Sequence, residues 1–121
     1  MVARGWPLAK ASKYNARRTK SADGIEHSSG KEAKRWGDLL LLERAGEIRN
    51  LRRQVVIPLV GQYDIIRTRT GRQMRFTVDF AYEDKRLDWM TVYEDTKGYA
   101  TRDYEVRVAV VRAMGFAIKE T

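Results

Sequence analysis

The chain predicts an α/β sandwich, a mixed central sheet with helices covering it, and three observations carry that reading. A helical pattern begins at Ser29, with apolar residues at three- and four-residue steps. Short alternating runs separated by turn residues follow from Gln54 to Gly98. A second helical pattern then starts at Thr101, stops at Gly115, and is followed by one more short apolar run. The order is helix, about three antiparallel strands, helix, strand.

Residues 1–22 come first and read as a flexible basic arm, with Arg4, Lys10, Lys13, Arg17, Arg18 and Lys20 and no acid. Such a segment either orders on nucleic acid or is a solubilising tail. Residues 23–121 then form a single domain. Its first helix has Ser29 as N-cap and Glu32 three residues on, an apolar stripe of Ala33, Trp36, Leu39 and Leu40, and Gly46 as its stop. A connector through Asn50 leads to a strand over residues 54–60, where Pro58 argues for an edge or a bulge because it cannot donate to a ladder. Residues 62–68 are expected to extend the sheet. Thr70-Gly71-Arg72 then turns the chain into a strand over residues 74–83, in which Phe76, Val78, Phe80 and Tyr82 share one face and Asp79 takes the other. Residues 83–86 make the next turn, and a strand over residues 89–97 ends at Gly98. Thr101 caps the second helix, with Asp103 and Glu105 in its first turn, and residues 116–119 form the last strand.

A chain of 121 residues with 43% hydrophobic content supports one core. Its net charge of +8 favours a polyanionic partner. The basic excess is concentrated in the arm, which carries six Lys or Arg and no acid. Without cysteine, neither a disulfide framework nor a thiolate zinc site is available. No apolar run approaches the roughly 20 residues of a membrane span, and residues 1–22 hold no apolar signal-peptide stretch, so no membrane partner and a cytoplasmic location are expected.

Chemistry enters at Asp79, Asp95 and Lys97. Two aspartates in adjacent strand-like runs are unusual, because acids are depleted in strand interiors. Asp95 and Lys97 stand two apart and point the same way. Hard carboxylate oxygens suit Mg²⁺ or Mn²⁺. Lys97 suits either stabilisation of a developing negative charge or, with a lowered pKa, general-base work. The same residues read without chemistry as a hydrogen-bonded Asp79, an Asp95 at a strand end and an Asp95–Lys97 ion pair. Glu94 is expected on the face opposite Asp95. His27, the single histidine, fits a surface or packing role better than a ligand pattern.

Ser12-Lys13-Tyr14, Asp23-Gly24-Ile25, Ser29-Gly30-Lys31-Glu32-Ala33, Leu42-Glu43-Arg44-Ala45-Gly46-Glu47-Ile48, Val78-Asp79-Phe80 and Glu94-Asp95-Thr96-Lys97-Gly98 together resemble the PD-(D/E)xK, or restriction-endonuclease-like, superfamily. Within it they look like small phage and prophage nucleases described as endonuclease-like or Holliday-junction-resolvase-like. Val78 departs from the proline in the superfamily's name. The resemblance implies an αβββαβ core and a Mg²⁺-dependent (or Mn²⁺-dependent) DNA endonuclease working in a bacterial host cell. Branched DNA such as a four-way junction is the implied substrate, and a homodimer the implied assembly. It also implies Glu32, Asp79, Asp95 and Lys97 as the catalytic set, with Asp79, Asp95 and Glu32 as metal ligands. Glu32 also fits a capping box closing the helix N-terminus. Lys13, Arg17 and Arg18 of the arm, with Lys31, Lys34, Arg35 and Arg102 on the helices, are either phosphate contacts or, on the helices, ordinary solvated charges. A nucleic-acid-binding module without catalysis is the competing function, and a packaging accessory protein a third.

Overall fold

The computed structural model describes residues 18–21, 23–27, 29–96 and 101–121. A two-stranded antiparallel hairpin, β1 (Thr19–Lys20) and β2 (Glu26–His27), precedes helix α1 (Gly30–Arg44). Strands β3 (Ile48–Pro58), β4 (Arg75–Asp84) and β5 (Met90–Asp95) follow, then helix α2 (Arg102–Ala113) and β6 (Ile118–Glu120). The main sheet has the order β3-β4-β5-β6, antiparallel through its first three strands and parallel between β5 and β6. The expected α/β class is what the chain forms, with a four-stranded mixed sheet and two helices among the described residues. Among the described residues no helix is long and apolar enough to cross a membrane.

Both helices begin where local chemistry places them. Ser29 and Thr101 have extended backbones, and their hydroxyls accept from the backbone N–H of Glu32 and Tyr104. Gly46 and Gly115, at φ 80 and φ 105, follow the last turns in a left-handed conformation that glycine adopts without Cβ strain. Ser29→Ala is expected to cost about 1 kcal/mol of stability, measurable as a lower urea midpoint with unchanged slope.

The helices lie on opposite faces of the sheet. Tyr93 packs into the cluster around Val108 and Val111 of α2, whereas its neighbour Glu94 is hydrogen-bonded to Arg35 of α1. Successive strand side chains point in opposite directions, so the helices that receive them sit on either side of β5.

Three expectations need correction. The segment through Asn50 is strand: β3 begins at Ile48 and absorbs an irregularity between Arg49 and Arg52, with Asn50 at φ 55. Residues 62–68 do not extend the main sheet. They fold with residues 59–60 and 72–74 into a small ribbon held by the bridges Val60–Ile65 and Arg67–Gln73. The four apolar residues of β4 do not serve one core. Phe76 and Val78 join the α2 cluster, while Phe80 and Tyr82 join Trp36 and Leu39 of α1. The change of partner falls at Asp79, facing Gln54, whose φ of 54 interrupts β3 between the pairs Arg53–Phe80 and Val55–Val78. Pro58 ends an edge strand, as its missing N–H requires. Thr19 and Lys20 of the expected arm are paired with His27 and Glu26.

Candidate active site

Asp79 lies on β4 and Asp95 at the end of β5, where the pairing of these strands runs out after Phe80–Glu94. The backbone N–H of Asp79 donates to Asp95 Oδ1 at 3.1 Å. One residue on, Thr96 turns back and donates to Asp79 Oδ2 with its backbone N–H at 2.8 Å and with its hydroxyl. Each carboxylate is thus held by the opposite strand, which fixes both without long side-chain reach.

Among the described residues neither carboxylate has an ion-pair partner. Burial pushes the Asp79 carboxyl upward against the Thr96 hydrogen bonds, and the charge of Glu32 raises it further. Burial and then the charge of Asp79 push Asp95 up to about 7. Two acids at one site cannot both ionise cheaply, so the pair retains a shared proton to near neutrality or takes up a cation.

Glu32 is buried in the first turn of α1. Its backbone N–H is capped by Ser29 at 3.2 Å. Oε2 accepts from Gln54 Nε2 at 3.3 Å and lies 3.5 Å from His27 Nδ1. Gln54 therefore connects Glu32 to the point on β3 that faces Asp79. His27 is buried, with Nε2 3.1 Å from Ser21 Oγ and its ring against Trp36. Packing is its role, and it also holds the hairpin to Glu32. Ser21 further bonds Asp23, which accepts from Trp36 Nε1 at 2.7 Å. These two bonds hold the Asp23 carboxyl below its ordinary value, that from Ser21 contributing more.

Glu94 lies on the other face, as expected, but it is fully buried and organised. It accepts from Arg35 Nε and Nη2 and from Tyr82 Oη at 2.7 Å. Burial alone would raise its carboxyl. The hydrogen bonds from Arg35 and Tyr82 outweigh that and hold it below its ordinary value. Arg35 is consequently engaged inside the fold. Lys31 and Lys34 are exposed, with Lys34 beside Asp38 at 3.6 Å, and Arg102 opens α2 at the surface. Arg18 is exposed just before β1. Lys97, Lys13 and Arg17 lie outside the described residues.

The structure thus joins Asp79 to Asp95 and places Glu32 within electrostatic reach. Arg35, expected as a phosphate contact or a solvated charge, pairs with Glu94; that pairing and the parts played by Thr96 and Gln54 carry no sequence signal, because they depend on cross-strand and helix-to-strand contacts. Among the described residues, no three His, Asp or Glu side chains form a ready cation site. Mg²⁺ does not require one, since it keeps several waters and is commonly held by one or two carboxylates. The donor set, two oxygen-only side chains with surplus negative charge, fits such an ion.

A family model described as "Protein of unknown function (DUF1064)" matches residues 11–119. The chain belongs to the DUF1064 family. No curated protein and no solved structure matches it. The region matched to DUF1064 contains Glu32, Asp79 and Asp95 together with the hairpin and β3 residues that position them.

Proposed function

We propose that this DUF1064 protein is a metal-dependent DNA endonuclease of the PD-(D/E)xK type, with Asp79 and Asp95 as its Mg²⁺ or Mn²⁺ ligands. The observation that carries the reading is the Asp79–Asp95 pair on adjacent strands, Asp95 buried and Asp79 half-buried, with Asp95 raised to about 7 by burial and by its neighbour's charge. Among the described residues no ion pair relieves this charge conflict, and a divalent ion would.

The ion would supply positive charge to a phosphate oxygen and lower the pKa of a water. The protein's own groups do the rest. Thr96 fixes one Asp79 oxygen through two hydrogen bonds, leaving its other oxygen for the ion. The Asp79 N–H does the same for one oxygen of Asp95. Glu32, oriented by Gln54, lies on the Asp79 side, where it can accept a proton or hold a water against the phosphate. Lys97, two residues beyond Asp95, is assigned to charge stabilisation at the leaving or attacking oxygen. A four-way junction and a homodimer remain the substrate and assembly suggested by the superfamily resemblance, since paired cuts call for two related sites.

Incubation of labelled junction, flap and linear duplex DNA with wild type and Asp79→Ala tests the reading. Wild type with Mg²⁺ is expected to cut, while chelator or Asp79→Ala lowers the rate by about 10³ or more, the scale of losing a main electrostatic element. Equal cutting by Asp79→Ala sinks the assignment. Metal-independent binding without cleavage transfers the protein to the binding-module reading.

A further inference from the structure

The ribbon spanning residues 59–75 holds four arginines and one acid, a net +3 that was not singled out as an interaction surface. Its sequence is amphipathic in strand register. Leu59 is fully buried, and Ile66 and Met74 pack beside it against the α2 cluster. The backbone ties these together: Ile66 N–H donates to Leu59 O at 2.8 Å, and Met74 N–H donates to Ile66 O at 2.9 Å. The alternate residues Arg67, Gln73 and Arg75 are exposed, and Arg67 bridges to Gln73. The tip is a tight turn, closed by Gly71 N–H to Thr68 O at 2.9 Å with Gly71 at φ 91, and it presents Arg69 to solvent.

Among the described residues, three of the four ribbon arginines are unmatched, the exception being Arg67, which lies 4.0 Å from Asp64; outside the ribbon, Arg44, Arg52 and Arg102 are likewise without an ion pair, but they do not cluster. Arg35, Arg49, Arg86, Arg107 and Arg112 each meet a carboxylate within 4.0 Å. Among the described residues, the guanidinium groups of Arg69, Arg72 and Arg75 meet none. Arg72, Gln73, Arg75 and Arg107 line one open groove of about 680 Å³. Its floor is fixed, because Arg107 donates through Nε to Asp103 at 2.9 Å and through Nη1 to Arg75 O at 2.8 Å. A solvated face needs neither a rigid floor nor a clustering of unmatched charge.

We infer that this ribbon is a duplex-DNA docking element, whose tip enters the major groove while Arg69, Arg72 and Arg75 take backbone phosphates. The dimensions agree with a duplex. A two-stranded ribbon fits a major groove about 12 Å wide. Arg75 and Asp79 share β4 and stand four residues apart, which is about 13 Å at strand rise. That spacing corresponds to roughly four base steps at 3.4 Å each. The inference rests on the nuclease reading only for the position of the cut; the binding surface stands on the ribbon itself.

The test uses the full chain carrying Asp95→Asn, with chelator, and a fluorescein-labelled 20-base-pair duplex followed by anisotropy across salt concentrations. Removing Arg69, Arg72 and Arg75 together (each to Gln) is expected to lower the slope of log affinity against log salt by about 2 to 3, close to 0.9 per phosphate contact. A charge-matched control, Arg44→Gln, Lys85→Gln and Lys119→Gln, is expected to leave the slope nearly unchanged. Arg69→Gln alone sits on an exposed turn, and its drop of about 0.9 supports the element independently of the triple variant's folding. An unchanged slope in the ribbon variants, or an equal fall in the control, overturns the inference. An equal loss on the labelled single strand overturns the duplex assignment. Ribbon-dependent binding by a wild-type chain that never cuts DNA refutes the nuclease reading and keeps the ribbon; cutting with ribbon-independent binding does the reverse.

Discussion

Asp95→Asn is expected to abolish metal-dependent cleavage and, in the same protein, to raise the melting temperature of the metal-free chain at pH 8. The second effect follows from the direction of the pKa shift. An aspartate with an ordinary value of 3.8 that is raised to about 7 by folding binds more protons folded than unfolded between those values. Stability therefore falls as pH rises through that window, and the loss is complete above about 7. Asn removes the charge while its side-chain oxygen can still accept the Asp79 N–H. The gain at pH 8 should be on the order of 1–2 kcal/mol, smaller than the full shift implies because the pair titrates as a unit and retains some contact with solvent. It should vanish below about pH 4, where wild type is protonated as well. Millimolar Mg²⁺ should stabilise wild type at pH 8 and leave Asp95→Asn unmoved, since an ion stabilises only the form that binds it. Thermal melts at pH 4, 6 and 8, with Mg²⁺ and with chelator, provide the check. A variant that melts lower than wild type at every pH would mean the pair is a structural hydrogen bond.

What the sequence disclosed was local. Ser29, Thr101, Gly46 and Gly115 mark helix ends because cap chemistry is carried by the residue itself and its neighbours within four positions. Asp79 and Asp95 stood out because acids rarely occupy strand interiors. The missing parts depend on register or distant contacts. Arg49 to Arg53 carry no apolar alternation, and Asn50 in the left-handed region imitates a turn, so half of β3 reads as a connector. Gln54 at φ 54 carries no such signal, yet beside it the apolar residues of β4 change from one core to the other. Thr96 acquires its role only once β4 and β5 are paired. Arg35 looked like one more charge on a helix face until its partner, 59 positions away, came into contact.

That contact gives the largest expected loss of stability. Arg35→Ala should destabilise the protein by about 3–5 kcal/mol, the scale of leaving one member of a buried ion pair alone. Glu94 is fully buried, and among the described residues the Tyr82 hydroxyl and a longer contact from Thr121 are the hydrogen bonds left to its carboxylate without Arg35. Its carboxyl is held below its ordinary value in the fold, so the stability it contributes is present above that value and lost as pH falls through the folded pKa. Arg35→Ala should abolish that contribution, flattening the acid limb of the stability curve as well as lowering its plateau. Arg35→Met combined with Glu94→Leu should recover most of the loss, because removing both charges removes the desolvation problem together with the bond. Urea unfolding of both variants from pH 4 to 8 measures this directly. The catalytic consequence separates the two proteins: Glu94 immediately precedes Asp95 and anchors the end of β5 to α1, so the double variant should fold well yet cut slowly if that anchor aligns Asp95. A repacked variant with wild-type cleavage would assign Arg35 and Glu94 to stability alone.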